Sequence, residues 1–198
     1  MKKLILLLSL AHLTVFGQQI FIKHTAYEIH FDTVIHEPIY THYILTKEML
    51  NGNFDRSSFK PDLLLKKELQ GSSKDYLNSA YDKGHLAPNY DFREFDNTQK
   101  ESMVYTNCAP QNPYFNRGIW KSLENHVRDI AKNNDVEIWT GCVYKGSKEH
   151  LGKLLVPTYY WKMIKCNGLF YAWKIPNIKP KSNDTFDNYK TDYKQFIK

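Results

Sequence analysis

The sequence predicts an α+β fold. Short runs rich in aromatic and β-branched residues, separated by turn residues, occur in both halves of the chain and read as strands. One segment between them carries apolar residues at helical spacing. The 198 residues are 42% hydrophobic and 15% aromatic, enough to fill a packed core. A chain of that length and composition points to one domain and argues against disorder.

The N-terminus reads MKKLILLLSLAHLTVFGQQ. Two lysines, an apolar run from Leu4 to Phe16 and the small residue Gly17 follow the order of a secretory signal peptide. The expectation is a signal over residues 1–17, with cleavage near Gly17, and one domain over 18–198. The mature protein would then be secreted or periplasmic. The apolar run is shorter than the roughly 20 residues a bilayer span needs, and no later run is longer. Stable membrane association is therefore not expected.

Next, YEIHFDTVIHEPIYTHYIL reads as two strands with a turn at Pro38. Residues 51–73 are polar and carry Gly52, Pro61 and Gly71, so they read as loop, with a short helix in DLLLKKELQ. FDNTQKESMVYT reads as a short helix, N-capped by Asp96, that runs into a strand. In NRGIWKSLENHVRDIAKNN the apolar residues Ile119, Trp120, Leu123, Val127 and Ile130 mark one helix face. VEIWTGCVY, YYWKMIKC and LFYAWKI read as strands, the last two joined by an Asn167-Gly168 turn. The Lys-rich segment from Lys179 has no clear pattern.

Three cysteines, Cys108, Cys142 and Cys166, are too few and too scattered for a CxxC-type zinc site. An oxidising destination permits one disulfide, and the strand placement suggests Cys142 with Cys166. The formal charge is +6, which suits a polyanionic partner but does not require one.

The chemistry concentrates in YDKGHLAPNYDF, residues 81–92. A glycine beside a histidine lets the backbone approach a ligand closely. A nearby aspartate can orient the imidazole, and a lysine can neutralise a phosphate. Some 30 residues on, Asn116 and Glu124 supply hard oxygen donors of the kind that suits Mg²⁺. A histidine base, such an ion and cationic side chains suffice for phosphodiester hydrolysis.

Asp82-Lys83-Gly84-His85-Leu86-Ala87-Pro88 closely resembles the signature of the DNA/RNA non-specific endonucleases, which belong to the His-Me finger (ββα-metal) nucleases. TNCAPQNPYFNRGIWKSLE resembles their second block, Asn-x-x-Pro-Gln followed by Asn-x-Gly-x-Trp-x-x-Leu-Glu. A looser resemblance spans Tyr27 to Pro176 and includes the Thr140-Gly141 strand and Ile175-Pro176-Asn177. The resemblance implies a central antiparallel sheet flanked by helices, with a ββα-metal unit on one side. It implies that His85 is the general base and that Asn116 is the direct protein ligand of Mg²⁺, or of Mn²⁺ in its place. Glu124 would hold a water of the ion's hydration shell, Asn107 would support the histidine strand, and Asp82 would hold the motif's turn. Lys83 would contact substrate phosphate where the family mostly has arginine, a point charge in place of a bidentate fork. Arg56 is the best match for a further phosphate-binding arginine upstream. DNA and RNA would both be substrates, cut to 5′-phosphate products; the oligomeric state is left open.

Plainer readings stand beside these. Asn116 would serve as a helix N-cap, and Glu124 precedes Arg128 by four residues, the order of a helix ion pair. Asn116 and Glu124 lie about 12 Å apart along an ideal helix, so both approach one ion only if Asn116 precedes the first turn. Trp120 reads as a core anchor, and Cys108 lacks the local setting of a nucleophile. Two rival functions remain at this stage. One is a secreted nucleic-acid-binding module without catalysis; the other is a phosphodiesterase acting on small substrates.

Overall fold

The computed structural model describes residues 18–196; the expected signal peptide, residues 1–17, lies outside them. Six strands form one antiparallel sheet in the order β1-β2-β3-β6-β9-β10. They are β1 (Gln19–Lys23), β2 (Glu28–Asp32), β3 (Glu37–Leu45), β6 (Val136–Val143), β9 (Tyr159–Cys166) and β10 (Leu169–Pro176). Two short hairpins stand apart: β4 (Asp82–His85) with β5 (Cys108–Gln111), and β7 (His150–Leu151) with β8 (Leu154–Leu155). The helices are α1 (Asp96–Glu101), α2 (Pro113–Phe115) and α3 (Lys121–Ala131), with a π-helical turn over Asn116–Trp120 between the last two. The fold is the expected α+β arrangement.

Helix α3 buries Leu123, Val127 and Ala131 against the sheet. Phe115, Trp120 and Tyr160 form an aromatic triangle with ring centres 5.3–5.6 Å apart, and Trp120 is 1% exposed. Burying side chains of this size supplies most of the local stabilisation. This packing makes Trp120 a core anchor and fixes the start of α3 over β9.

Several local expectations change. The turn before β3 is Thr33–His36, where the Asp32 carboxylate accepts from the Val34 and Ile35 amides. Pro38 instead lies inside β3, opposite Phe31 at a register shift. A bulge tolerates a residue without an N–H donor. Strand β1 was not marked by the sequence pattern, since QIFIK directly follows the expected cleavage point. Asp96 is the first residue of α1 rather than its cap, and it pairs with Lys100 at 2.6 Å. The segment after α1 forms a single bridge, Lys60 to Val104, before β5 begins. In DLLLKKELQ only Lys67–Leu69 turns, as a 3-10 helix. The Gln70 side chain outcompetes a longer helix there by donating to the Asp62 and Leu65 carbonyls. The Asn167-Gly168 turn between β9 and β10 is as expected, with φ of 50° and 79°.

The suggested disulfide does not form. All three cysteines are buried thiols. Cys142 pairs with Tyr160 across β6 and β9, and Cys166 lies six residues further along β9. That is roughly 20 Å at strand rise, far beyond disulfide reach.

Candidate active site

The ββα unit is built from β4, β5 and α3. Strand β4 pairs with β5 so that Asp82 faces Gln111 and His85 faces Cys108. Gly84 is required by this pairing: a Cβ there would overlap the Gln111 side chain. The chain leaving His85 is then clamped by Asn107. Its Oδ1 accepts from the Ala87 amide at 2.9 Å, and its Nδ2 donates to the Ala87 and Ser102 carbonyls at 2.8 Å. The Leu86 amide adds a bond to the Asn107 carbonyl at 3.0 Å. Asn107 is fully buried with every polar atom paired, so it fixes the position of the histidine backbone.

The His85 ring packs on Phe59, with centres 4.6 Å apart, and its Nε2 lies 3.2 Å from the Met103 sulfur. A thioether accepts a hydrogen bond weakly and donates none, which assigns the proton to Nε2 and the lone pair to Nδ1. Burial, and after it the Arg56 charge, lowers the imidazole pKa from 6.5 to about 3. The ring is neutral throughout the physiological range.

Asp82 joins this strand to the next element. Its carboxylate accepts a fork from Arg117, at 2.9 Å from Nε and 2.6 Å from Nη2. It also accepts from Asn116 Nδ2 at 2.9 Å. The second bond fixes the amide's orientation and leaves Oδ1 as the free end. Asn116 is not a helix N-cap. That role belongs to Asn112, whose side chain accepts from the Tyr114 and Phe115 amides. The Asn112 amide in turn donates to Asn177, so the Ile175-Pro176-Asn177 motif ties the last strand to the active-site turn.

The π-turn resolves the spacing of Asn116 and Glu124. Gly118 leaves helical geometry at φ −104°, ψ −106°, and Asn116 sits ahead of α3 rather than within it. Such π-bulges recur at functional sites. Asn116 and Glu124 consequently line one cleft of about 460 Å³, together with His85, Lys83, Arg56, Arg117, Lys121, Tyr90 and Arg128. Of the residues expected at the site, five line this cleft. Asp82 and Asn107 stand behind it as supports.

Glu124 is 15% exposed. Burial raises its pKa from 4.5 to about 7, opposed by the charges of Lys162 and Arg128. The expected ion pair to Arg128 is long, 3.9 Å, because Arg128 instead donates to Asp91 and Asn125 at 2.8 Å. Asp91 also accepts from Tyr43 at 2.6 Å. The Glu124 carboxylate is thus left available to the cleft. Cys108 plays no part: burial pushes its thiol well above its ordinary range.

Sequence reasoning did not assign Arg117 or Lys121 to the cleft, and it did not mark Lys162, which lies outside the lining. Arg117 was visible between two motif residues. Lys162 gave no signal, being one lysine in a run of strand residues.

Comparisons with known proteins give the family and the fold. The family model described as DNA/RNA non-specific endonuclease matches residues 10–196. The chain belongs to this family. A mitochondrial nuclease of Schizosaccharomyces pombe is 32% identical over 152 residues, covering 68% of this chain and 47% of the relative. A salivary endonuclease of Lutzomyia longipalpis is 30% identical over 173 residues, covering 71% and 42%. The chain spans about half the length of the curated relatives it matches. Among solved structures, a chain from the EndoG/EndoGI complex matches with a TM-score of 0.84 at 24% identity, covering 91% of this chain and 83% of that one. That match establishes the shared endonuclease fold.

Proposed function

We propose that this chain is a secreted, Mg²⁺-dependent endonuclease that hydrolyses DNA and RNA with little sequence preference, working as one domain from residue 18 onward. The observation that carries this reading is a single cleft. It places a neutral histidine base, a correctly turned amide oxygen and a half-buried carboxylate among five cationic side chains.

The donor set suits Mg²⁺. Asn116 Oδ1 and the Glu124 carboxylate are hard oxygens, and among the described residues no cluster of three His, Cys, Asp or Glu side chains could hold an ion. Mg²⁺ commonly keeps most of its waters and takes few protein ligands. Asn116 would hold it directly, and Glu124 would accept hydrogen bonds from its waters. When bound, the ion supplies electrostatic stabilisation for the phosphate and the departing 3′ oxygen.

The chain's own residues do the rest. His85 Nδ1 takes the proton from the attacking water, and Asn107 keeps the ring's backbone in place for that transfer. Lys83 and Arg56 contact phosphate oxygens and position the strand without reading its bases. Because the nucleophile is water, no 2′-hydroxyl is needed and both nucleic acids are cut to 5′-phosphate and 3′-hydroxyl ends. Secretion follows from the leader-like residues 1–17.

The test is plasmid nicking by the purified mature protein with a panel of divalent ions and with EDTA, followed by ligation of the products without kinase treatment. Nicking abolished by EDTA, with directly ligatable ends, is expected. Metal-independent cleavage, or 2′,3′-cyclic phosphates on RNA with DNA untouched, would remove the reading.

A further inference from the structure

Lys162 projects from β9 into the space beneath α3 and is 1% exposed. A lysine inside a sheet-on-helix core is costly. Its ammonium must be desolvated, and an apolar residue of the same volume commonly serves stability as well or better. Its position therefore calls for a reason other than packing.

Its surroundings supply one. The ammonium donates to Thr140 Oγ1 at 2.5 Å and lies 5.2 Å from the centre of the Trp120 ring. Trp120 stands four residues before Glu124, on the same side of the helix. Its buried indole N–H has no acceptor within hydrogen-bond distance. The charges of Lys162 and Arg128 both oppose the effect of burial on Glu124. Arg128 is shared between Asp91 at 2.8 Å and Glu124 at 3.9 Å, so Lys162 is the second counter-charge. Lys162 is absent from the cleft lining.

We propose that Lys162, aimed by Thr140 and backed by the Trp120 ring, is a positioning residue that keeps the Glu124 carboxylate directed into the cleft. It touches neither substrate nor metal and acts only through Glu124. A buried carboxylate stripped of its counter-charge is desolvated and unpaired, and it no longer presents a fixed acceptor to the ion's waters. This inference rests on the nuclease reading of the cleft.

The experiment compares Lys162→Met, Thr140→Val, Glu124→Gln and the Lys162→Met/Glu124→Gln double variant, with His85→Ala as the control for the cleft. Lys162→Met is expected to lower kcat by about tenfold or more, the scale for groups that orient a metal's partners, with KM for nucleic acid nearly unchanged. Its melting temperature is expected to fall, because Glu124 is left without its counter-charge, and to recover in the double variant, which a purely structural lysine would not give. Mn²⁺ binding by titration calorimetry on the otherwise intact protein should weaken about tenfold. In the Glu124→Gln background, Lys162→Met should cost nothing further, because the route of its action is already gone. Thr140→Val, which keeps the lysine but releases its aim, should fall between wild type and Lys162→Met. If Lys162→Met does not fold, Thr140→Val with full kcat overturns the proposal. It is also overturned if Lys162→Met keeps full kcat and Mn²⁺ affinity, or if its loss multiplies with that of Glu124→Gln. Wild-type cleavage by His85→Ala and Glu124→Gln would instead sink the reading of the cleft.

Discussion

The two walls of the cleft are held in place by different physics. The histidine wall is secured by neutral bonds: Asn107 to backbone, with Phe59 and Met103 against the ring. The wall carrying Asn116 and Glu124 is secured by charge, with Asp82, Arg117, Arg128 and Lys162 around it. The difference matches what each wall has to present. A base would need a lone pair, and burial, helped by the Arg56 charge, keeps the imidazole unprotonated. Oxygen donors for a cation need their electron density kept available, and fixed counter-charges do that in a buried place.

The largest expected effect comes from removing the group that the neutral wall exists to hold. His85→Ala should lower cleavage at least ~10²-fold, the scale of a lost general base, while binding to nucleic acid changes little. Single-turnover cleavage and filter binding separate the two. Near-wild-type turnover would show that the neutral wall holds no base.

The same contrast explains what the sequence revealed. The histidine wall is contiguous: Asp82 to Pro88 spell a motif whose glycine must let β4 approach Gln111, and its clamp Asn107 lies in the second motif. The sheet was legible from its aromatic runs, except β1, which the leader-like N-terminus obscured. The charged wall was only half legible. Its oxygen donors stand in a motif, but whether Asn116 precedes the helix depends on the kink at Gly118. Its counter-charges come from other elements, and Lys162 arrives from β9, about forty residues away. Charge balance in a core is a tertiary property, and no local pattern encodes it.

A smaller effect tests the hinge between the walls. Asp82→Asn keeps the shape but weakens the acceptor that turns the Asn116 amide, so the Mg²⁺ needed for half-maximal rate should rise about tenfold. Most turnover should return at saturating ion. Arg117→Ala should do less, because that side chain is 72% exposed and an exposed partner contributes little. Metal titrations of the cleavage rate compare the two variants. An arginine effect as large as the aspartate effect would mean that the fork, not the amide bond, sets the site.

Stability against pH should separate the walls by sign. His85 is lowered to about 3 from 6.5, so its contribution is present above pH 6.5 and lost as pH falls toward 3. Glu124 is raised to about 7 from 4.5, so its contribution is present below pH 4.5 and lost as pH rises through 7. Urea midpoints of the metal-free protein from pH 4 to 8 give the profile. His85→Asn should flatten the acid side and Glu124→Gln the neutral side. If each variant alters the other's limb, the assignment of the two walls is reversed.

The smallest expected effect concerns Lys83, the cation of the neutral wall. Its ammonium rests 5.0 Å from the centre of the Tyr76 ring and lines the cleft beside His85. A lysine there acts as a point charge on phosphate and takes no part in holding the imidazole. Lys83→Ala should therefore weaken binding uniformly across sequences and lower the slope of log affinity against log salt by about one, the signature of one lost phosphate contact. The single-turnover rate on saturating substrate should stay near wild type. Lys83→Arg preserves the charge, so the salt slope should not move; any gain in affinity then measures what a bidentate fork adds. Salt-dependent binding of a His85→Ala background to a long duplex reads these slopes without cleavage. An unchanged slope in the alanine variant would mean that Tyr76 keeps the ammonium from the phosphates. The neutral wall would then carry the base alone, with substrate held entirely by Arg56 and the charged wall opposite.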